Sequence, residues 1–249
     1  MKSNVLIWIS ALSVGSAIAV QPTLTGRSEA GFVMSRGNTN TETANARINV
    51  VKESDKWRHL FDVTGLYGRT TEAEIAARWN FLWQTDRRFD TDAYWFGSLR
   101  YDGDRFSGFD YQSTLSAGAG HEFINSNTTR LHAQIGIGYR RLRSERLTFN
   151  PAGIVIDRVK GEQQSSVVTS GAVNFERAFN DSTKLIDTLS IETGSSNTLT
   201  RNELALQVKM NQVLALSVGL SVRKNTNPPP PLRQQDTLTT VNLVYERKR

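Results

Sequence analysis

Arginine is the residue type through which this chain could do chemistry. It holds 22 arginines and 8 lysines. Arg47, Arg58, Arg78, Arg100, Arg130, Arg140 and Arg223 recur along it among Asn, Gln, Ser, Thr and Gly. Solvated strand faces favour lysine, especially at sheet edges. The planar guanidinium fork suits crowded, bidentate pairing with carboxylate or phosphate. Asp62, Asp102, Glu122, Glu176, Glu192 and Glu203 are available as partners. If the two signs line opposite walls of a cavity, water and small solutes could pass, with a lean toward anions. If they pair across it, the interior is a plug, because unpaired charge away from water is costly.

Other chemistry has less support. The three histidines are His59, His121 and His132, and no nucleophile, base and orienting residue stand together in the sequence. No enzyme is expected. Asp102, Asp104 and Asp110 in "DGDRFSGFD" lack the bidentate Glu of a calcium loop and read as turn formers and partners of Arg100 and Arg105. "PPPP" at 228–231 reads as a stiff connector. The absence of cysteine excludes disulfides and thiolate chemistry. No cofactor or metal is expected. The net charge of +6 is scattered, not gathered in a stripe with aromatics, so nucleic acid is not an expected partner.

The elements that must position these side chains are strands. In "TETANARINV", residues 41–50, Ala44, Ala46, Ile48 and Val50 fall on one face, and Thr43, Asn45, Arg47 and Asn49 on the other. Period two recurs through about twelve such segments, long enough to cross a bilayer when tilted, which takes roughly 9–11 residues. Their connections alternate. "ESDK", "NSNT", "NDST" and "NQ" are short and turn-like, with "DRRFDTD" somewhat longer. "GRTTEAE", "DGDRFSGFD", "SERLTFNPAGIVIDRVKGEQQ", "GSSNT" and "NTNPPPPLRQQ" form the other, generally longer set, to which the short "GNTN" after the first strand is an exception. Such asymmetry marks outer-membrane barrels, with short turns inside and longer loops outside.

The apolar face tells where the oil lies. Trp57, Trp83, Trp95, Phe123, Phe179 and Tyr245 gather near the short turns, and Tyr67, Tyr101, Tyr111 and Tyr139 near the longer loops. Two aromatic girdles around an aliphatic band suit a wall facing lipid. The fold class expected is therefore all-β: a transmembrane antiparallel up-and-down barrel. Val5 to Val20 behind Lys2, ending Ala17-Ile18-Ala19, reads as a secretory signal. The expected division is a signal peptide at 1–19, a periplasmic segment at 20–26, the barrel at 27–245 and a basic tail at 246–249.

"EAGFVMSRGNTNTETANARINVVKESDKWRH", "FGSLRYDGDRFSGFDYQSTLSAGAGHEF" and "ETGSSNTLTRNELALQVKMNQVLALSVGLSVRKNTNPPP" resemble the salt-induced outer membrane protein family, over roughly residues 27 to 245. The resemblance implies a Gram-negative outer-membrane β-barrel of a domain-of-unknown-function family linked by name to salt stress, with no reaction or substrate. It also implies an aromatic end read by the barrel assembly machinery; here Tyr245 is followed by Glu246-Arg247-Lys248-Arg249. The functional expectation is a narrow, weakly anion-leaning diffusion pore or envelope-stress barrel. The alternatives are a plugged structural barrel whose outer loops bind lipopolysaccharide or a partner and, third, a membrane-embedded lipid or peptide hydrolase.

Overall fold

The computed structural model describes residues 22–35, 41–70, 73–151, 154–230 and 232–248; the expected signal segment, residues 1–19, lies outside them. Twelve strands follow one another: β1 Thr23–Ser35, β2 Thr41–Glu53, β3 Trp57–Thr70, β4 Glu74–Arg88, β5 Ala93–Asp104, β6 Phe109–Asn125, β7 Thr129–Phe149, β8 Val155–Ala178, β9 Thr183–Gly194, β10 Thr198–Lys209, β11 Leu214–Asn225 and β12 Gln235–Lys248. Each pairs antiparallel with its sequence neighbours, and β1 pairs with β12 to close the barrel. Closure satisfies backbone groups that a sheet edge would leave open.

The short turns form because side-chain amides replace backbone partners. Asn180 Oδ1 accepts from the Ser182 and Thr183 amides, and Asn211 Oδ1 from those of Val213 and Leu214. Both chain ends of the barrel lie at this short-turn end.

Three expectations change. β1 begins at Thr23, inside the stretch expected to precede the barrel. Glu246 to Lys248 continue β12, with Arg27 opposite Glu246, instead of forming a separate tail. The stretch read as a long loop, residues 144–164, is largely strand: β7 and β8 run on together as far as the Phe149–Val155 pair. β6 leaves β7 at Ser144, and β9 leaves β8 at Val168, so beyond these points the hairpin has no neighbouring strand. It leans on the β5–β6 turn, where Glu145 N donates to Gly108 O and Arg158 lies over Phe106. A segment above a membrane needs no apolar face, which is why alternation of hydrophobicity did not mark it.

The outside of the ring is apolar. Ile135, Ile137, Leu115, Val218 and Val241 are exposed on it, Ile137 to 70%. Trp57, Trp83, Trp95, Phe123, Phe179 and Tyr245 stand on this face toward the short turns, and Tyr67 and Tyr139 toward the other end. Tyr101 stacks between Trp79 (4.9 Å between centroids) and Tyr111 (5.8 Å). His59 stacks on Trp57, and His121 meets Phe123 edge-on. So broad an exposed apolar band has its partner in hydrocarbon, not water.

The inside is packed asymmetrically. Tyr94 and Phe96 of β5 are buried against the inner wall of β6 and β7, where Gly120 and Gly136 leave room. A Cβ at Gly120 would overlap the Tyr94 ring, and one at Gly136 would lie 2.9 Å from Phe96 Cζ. Tyr94 donates to Gln134 Oε1 at 3.3 Å, so its hydroxyl is not left unpaired. These rings fill one side of the lumen and push the open space to the other.

Candidate functional site

Strand alternation carries one set of polar residues inward, and the register places them in layers. Arg47 on β2 donates from Nε to Asp62 on β3 (2.8 Å) and from Nη1 to Glu203 on β10 (2.9 Å). Since β2 and β10 stand four positions apart in the ring, the second bond crosses the lumen. Asn49 also donates to Asp62, at 2.8 Å.

A second group lies toward the long-loop end. Arg201 on β10 donates to Asp102 on β5 at 2.7 Å and to Glu192 on β9 at 3.3 Å. Asn80 donates to the other Asp102 oxygen at 2.7 Å, and Thr114 to Glu192 at 2.9 Å. Arg100 Nε lies 3.4 Å from Glu192 Oε1. Arg78 pairs with Asp104 on the adjacent strand and reaches Asp236 of β12 at 3.5 Å. The guanidinium fork makes this possible, because one arginine serves two acids from different strands.

Toward the short turns, Arg58 meets Asp86 at 3.1 Å, and Gln84 donates to the same carboxyl at 2.8 Å. Arg88 bridges Glu53 (2.6 Å) and Glu122 (3.4 Å). Glu176 meets Lys184 at 3.6 Å. Arg140 is fully buried and donates through Nη2 to Asn197.

Open space remains between these layers. A cavity of about 440 Å³ is lined by Arg27, Glu29, Arg47, Arg58, Asp62, Arg78, Arg130, His132, Glu203 and Arg223, among others. A second, of about 100 Å³, lies at the long-loop mouth between Asp102, Asp104, Arg201, Arg223 and the loop residues Pro228, Leu232 and Arg233. A third, of about 40 Å³, adjoins Arg100, Thr114 and Glu192. A cavity needs only about 10–15 Å³ to hold a water, so the first two have room for several.

The β11–β12 loop covers that mouth. A Cβ at Gly108, in the β5–β6 turn, would lie 2.6 Å from Leu232 Cδ1 and 3.0 Å from Pro229 Cγ. The two hairpins sit half-way round the ring from each other, so this loop spans the opening. Asn227 also donates to Ser196 O (3.3 Å), and Thr226 Oγ1 accepts from the Thr198 amide (2.8 Å). Proline stiffens such a strap by fixing φ.

The residues expected in the lumen thus lie as follows. Arg47, Arg58, Asp62, Arg78, Arg130, Glu203 and Arg223 line the large cavity, Asp102 the outer one and Arg100 the small one. Arg140 is buried beside Asn197 and Glu122 is held by Arg88. Asp104 is a turn former, accepting from the Phe106 amide, and Arg100 stands near enough to Asp102 to attract it. Among the described residues, however, none of Asp102, Asp104 and Asp110 makes an ion pair with Arg100 or Arg105. They meet Arg201, Arg78 and the Arg143–Lys160 pair respectively, while Arg105 takes Glu74.

Arg201, Arg88, Arg27 and Asp86 were missed. For Arg201 the signal was present: it precedes Glu203 by two residues, so period two puts both on one face.

A family profile described as "Protein of unknown function, DUF481" matches residues 28–246. An uncharacterized Escherichia coli (strain K12) protein, YdiY, is 26% identical over 225 residues, which cover 88% of this chain and 82% of that one. Among solved structures, the COG4313 outer membrane channel from Pseudomonas putida F1 aligns with TM-score 0.48 at 10% identity, covering 97% of this chain and 100% of that one. The translocator domain of the autotransporter NalP from Neisseria meningitidis aligns with TM-score 0.45 at 12% identity, covering 92% and 90%.

Proposed function

The chain belongs to the DUF481 family of proteins of unknown function, and from that premise we propose that it is an outer-membrane β-barrel closed at rest by ion pairs. Residence in the membrane is supported by the closed ring, the exposed aliphatic band and the aromatics above and below it. Lipid and lipopolysaccharide are then its surroundings, and the barrel assembly machinery its route in.

One observation carries the closed lumen: the Arg47–Glu203 and Arg201–Asp102 pairs cross it at two levels. An arginine-lined open channel would keep its acids on the far wall; here each of those acids is drawn into contact with an arginine. Vesicles carrying the folded chain are expected to swell no faster than empty ones in isotonic solutions of small solutes. Rapid swelling overturns the closed lumen, and failure to insert overturns the membrane reading.

The second reading is a narrow, weakly anion-leaning pore. It is favoured by the two cavities meeting at arginines, which would leave a cationic passage once the β11–β12 loop lifts. Faster swelling in salts of small anions than in salts of small cations would support it.

A further inference from the structure

Arg223, like the fully buried Arg140, is an interior cation without an ion pair among the described residues. It stands opposite Arg201 on β10 and opposite Asp236 on β12. Like charges facing each other on one side of a sheet repel. The acid that should offset this is turned away, since Asp236 contacts Arg78. The other acids nearby are committed as well: Asp102 and Glu192 to Arg201, and Glu203 to Arg47.

Among the described residues Arg223 has no hydrogen bond or ion pair, and its Nε is sealed from solvent without a partner. Leaving a cation unpaired away from water is costly. A barrel stabilised only by its ion-pair layers would not need this residue.

Its position suggests why it is there. Among the described residues, Arg78 and Arg223 are the two that line both the 440 Å³ cavity and the 100 Å³ cavity at the mouth. Anything small that moves between the compartments passes these guanidinium groups.

We propose that the Arg78–Arg223 junction binds a small oxyanion, of the phosphate or sulfate type or the carboxylate group of a small solute. Both guanidinium groups line this junction, and the guanidinium fork recognises tetrahedral and planar oxyanions. Arg78 also holds Asp104 and Asp236 there, which leaves Arg223 the freer of the two. The anion would supply the negative charge that Asp236 gives to Arg78. The ligand comes from solution and not from a lipid headgroup, because the junction is enclosed by the ring. This inference rests on the lumen described above, but not on whether that lumen conducts.

The test is isothermal titration calorimetry on the full chain refolded in a maltoside detergent, at constant ionic strength. Sodium phosphate and sodium sulfate are expected to give saturable binding and sodium chloride none. Arg223→Gln is expected to weaken phosphate binding about tenfold or more, as loss of a charge-assisted contact should. Arg141→Gln, on the exposed outer wall, is expected to leave it unchanged.

Should the glutamine variant not fold, Arg223→Met carries the same comparison, with a side chain of similar length and no charge. No phosphate binding above the chloride control overturns the proposal, as does equal binding by the Arg223 variant. Binding of phosphatidic acid micelles but not of inorganic phosphate would also overturn it, by placing the site on the lipid face. The closed-lumen reading fails separately, by swelling, whatever this titration shows.

Discussion

Arg201 on β10 and Asp102 on β5 meet at 2.7 Å although five positions separate their strands around the ring. Their side chains are only 12% and 10% exposed, so the bond is shielded from water on most sides. Glu192 completes the arginine's coordination, and Asn80 that of the aspartate. The pair therefore ties two distant parts of the wall together across the lumen, toward its long-loop end.

Removing both partners should cost less than the two single removals added together. Asp102→Asn leaves Arg201 with Glu192 alone and is expected to destabilise by about 3 kcal/mol, the low end for a buried pair because water-sized space adjoins it. The double variant Asp102→Asn/Arg201→Gln should lose less than the sum of the singles, by about 1–3 kcal/mol. Urea midpoints in detergent give all four corners of the cycle. Additive losses would show that the contact does not couple these strands.

The fit of Tyr94 into the glycine wall gives a steric prediction. Gly120→Ala places a methyl group against the Tyr94 ring, and overpacking of this kind costs about 1–3 kcal/mol. Tyr94→Leu in the same chain should recover part of the loss. The heat-modifiable gel shift and the urea midpoint report both. If Gly120→Ala folds as well as the native chain, the aromatic is not seated where the structure places it.

How much of this could be read beforehand differs from element to element. Period two is a local signal, so the strand at 41–50 and the outward Trp57, Trp83 and Trp95 were legible residue by residue. The ring pairs were not, because Arg47 and Glu203 are 156 residues apart and period two fixes a side chain's face, not its partner. "AYWFG" shows aromatics on both faces; that Tyr94 and Phe96 belong inside follows only once the glycines of β6 and β7 are known to face them. The 144–164 hairpin carries Leu147, Phe149, Val155, Ile156 and Val159 without a sustained alternation, which made a strand look like a loop. Arg201 is the exception, since its face was readable from Glu203.

The strap over the mouth can be tested through the absence of native cysteine, which makes a single introduced thiol a clean probe. Gly108 has φ of 75°, in the region other residues avoid, and its Cβ position is filled by Leu232 and Pro229. Gly108→Ala should loosen the β11–β12 loop from the β5–β6 turn. With Leu232→Cys as reporter, labelling by a water-soluble maleimide is expected to quicken several-fold in the Gly108→Ala background. An unchanged rate would mean that the two hairpins do not hold each other.

The most direct test of the closed lumen is single-channel recording from the refolded chain in a planar bilayer, with a salt gradient to read ion preference. The native protein is predicted to insert and stay silent, and Asp102→Asn/Arg201→Gln to show discrete steps. Steady, discrete conductance from the native chain, with a reversal potential favouring anions, would contradict the cross-lumen closure and leave the arginines as the lining of an open pore.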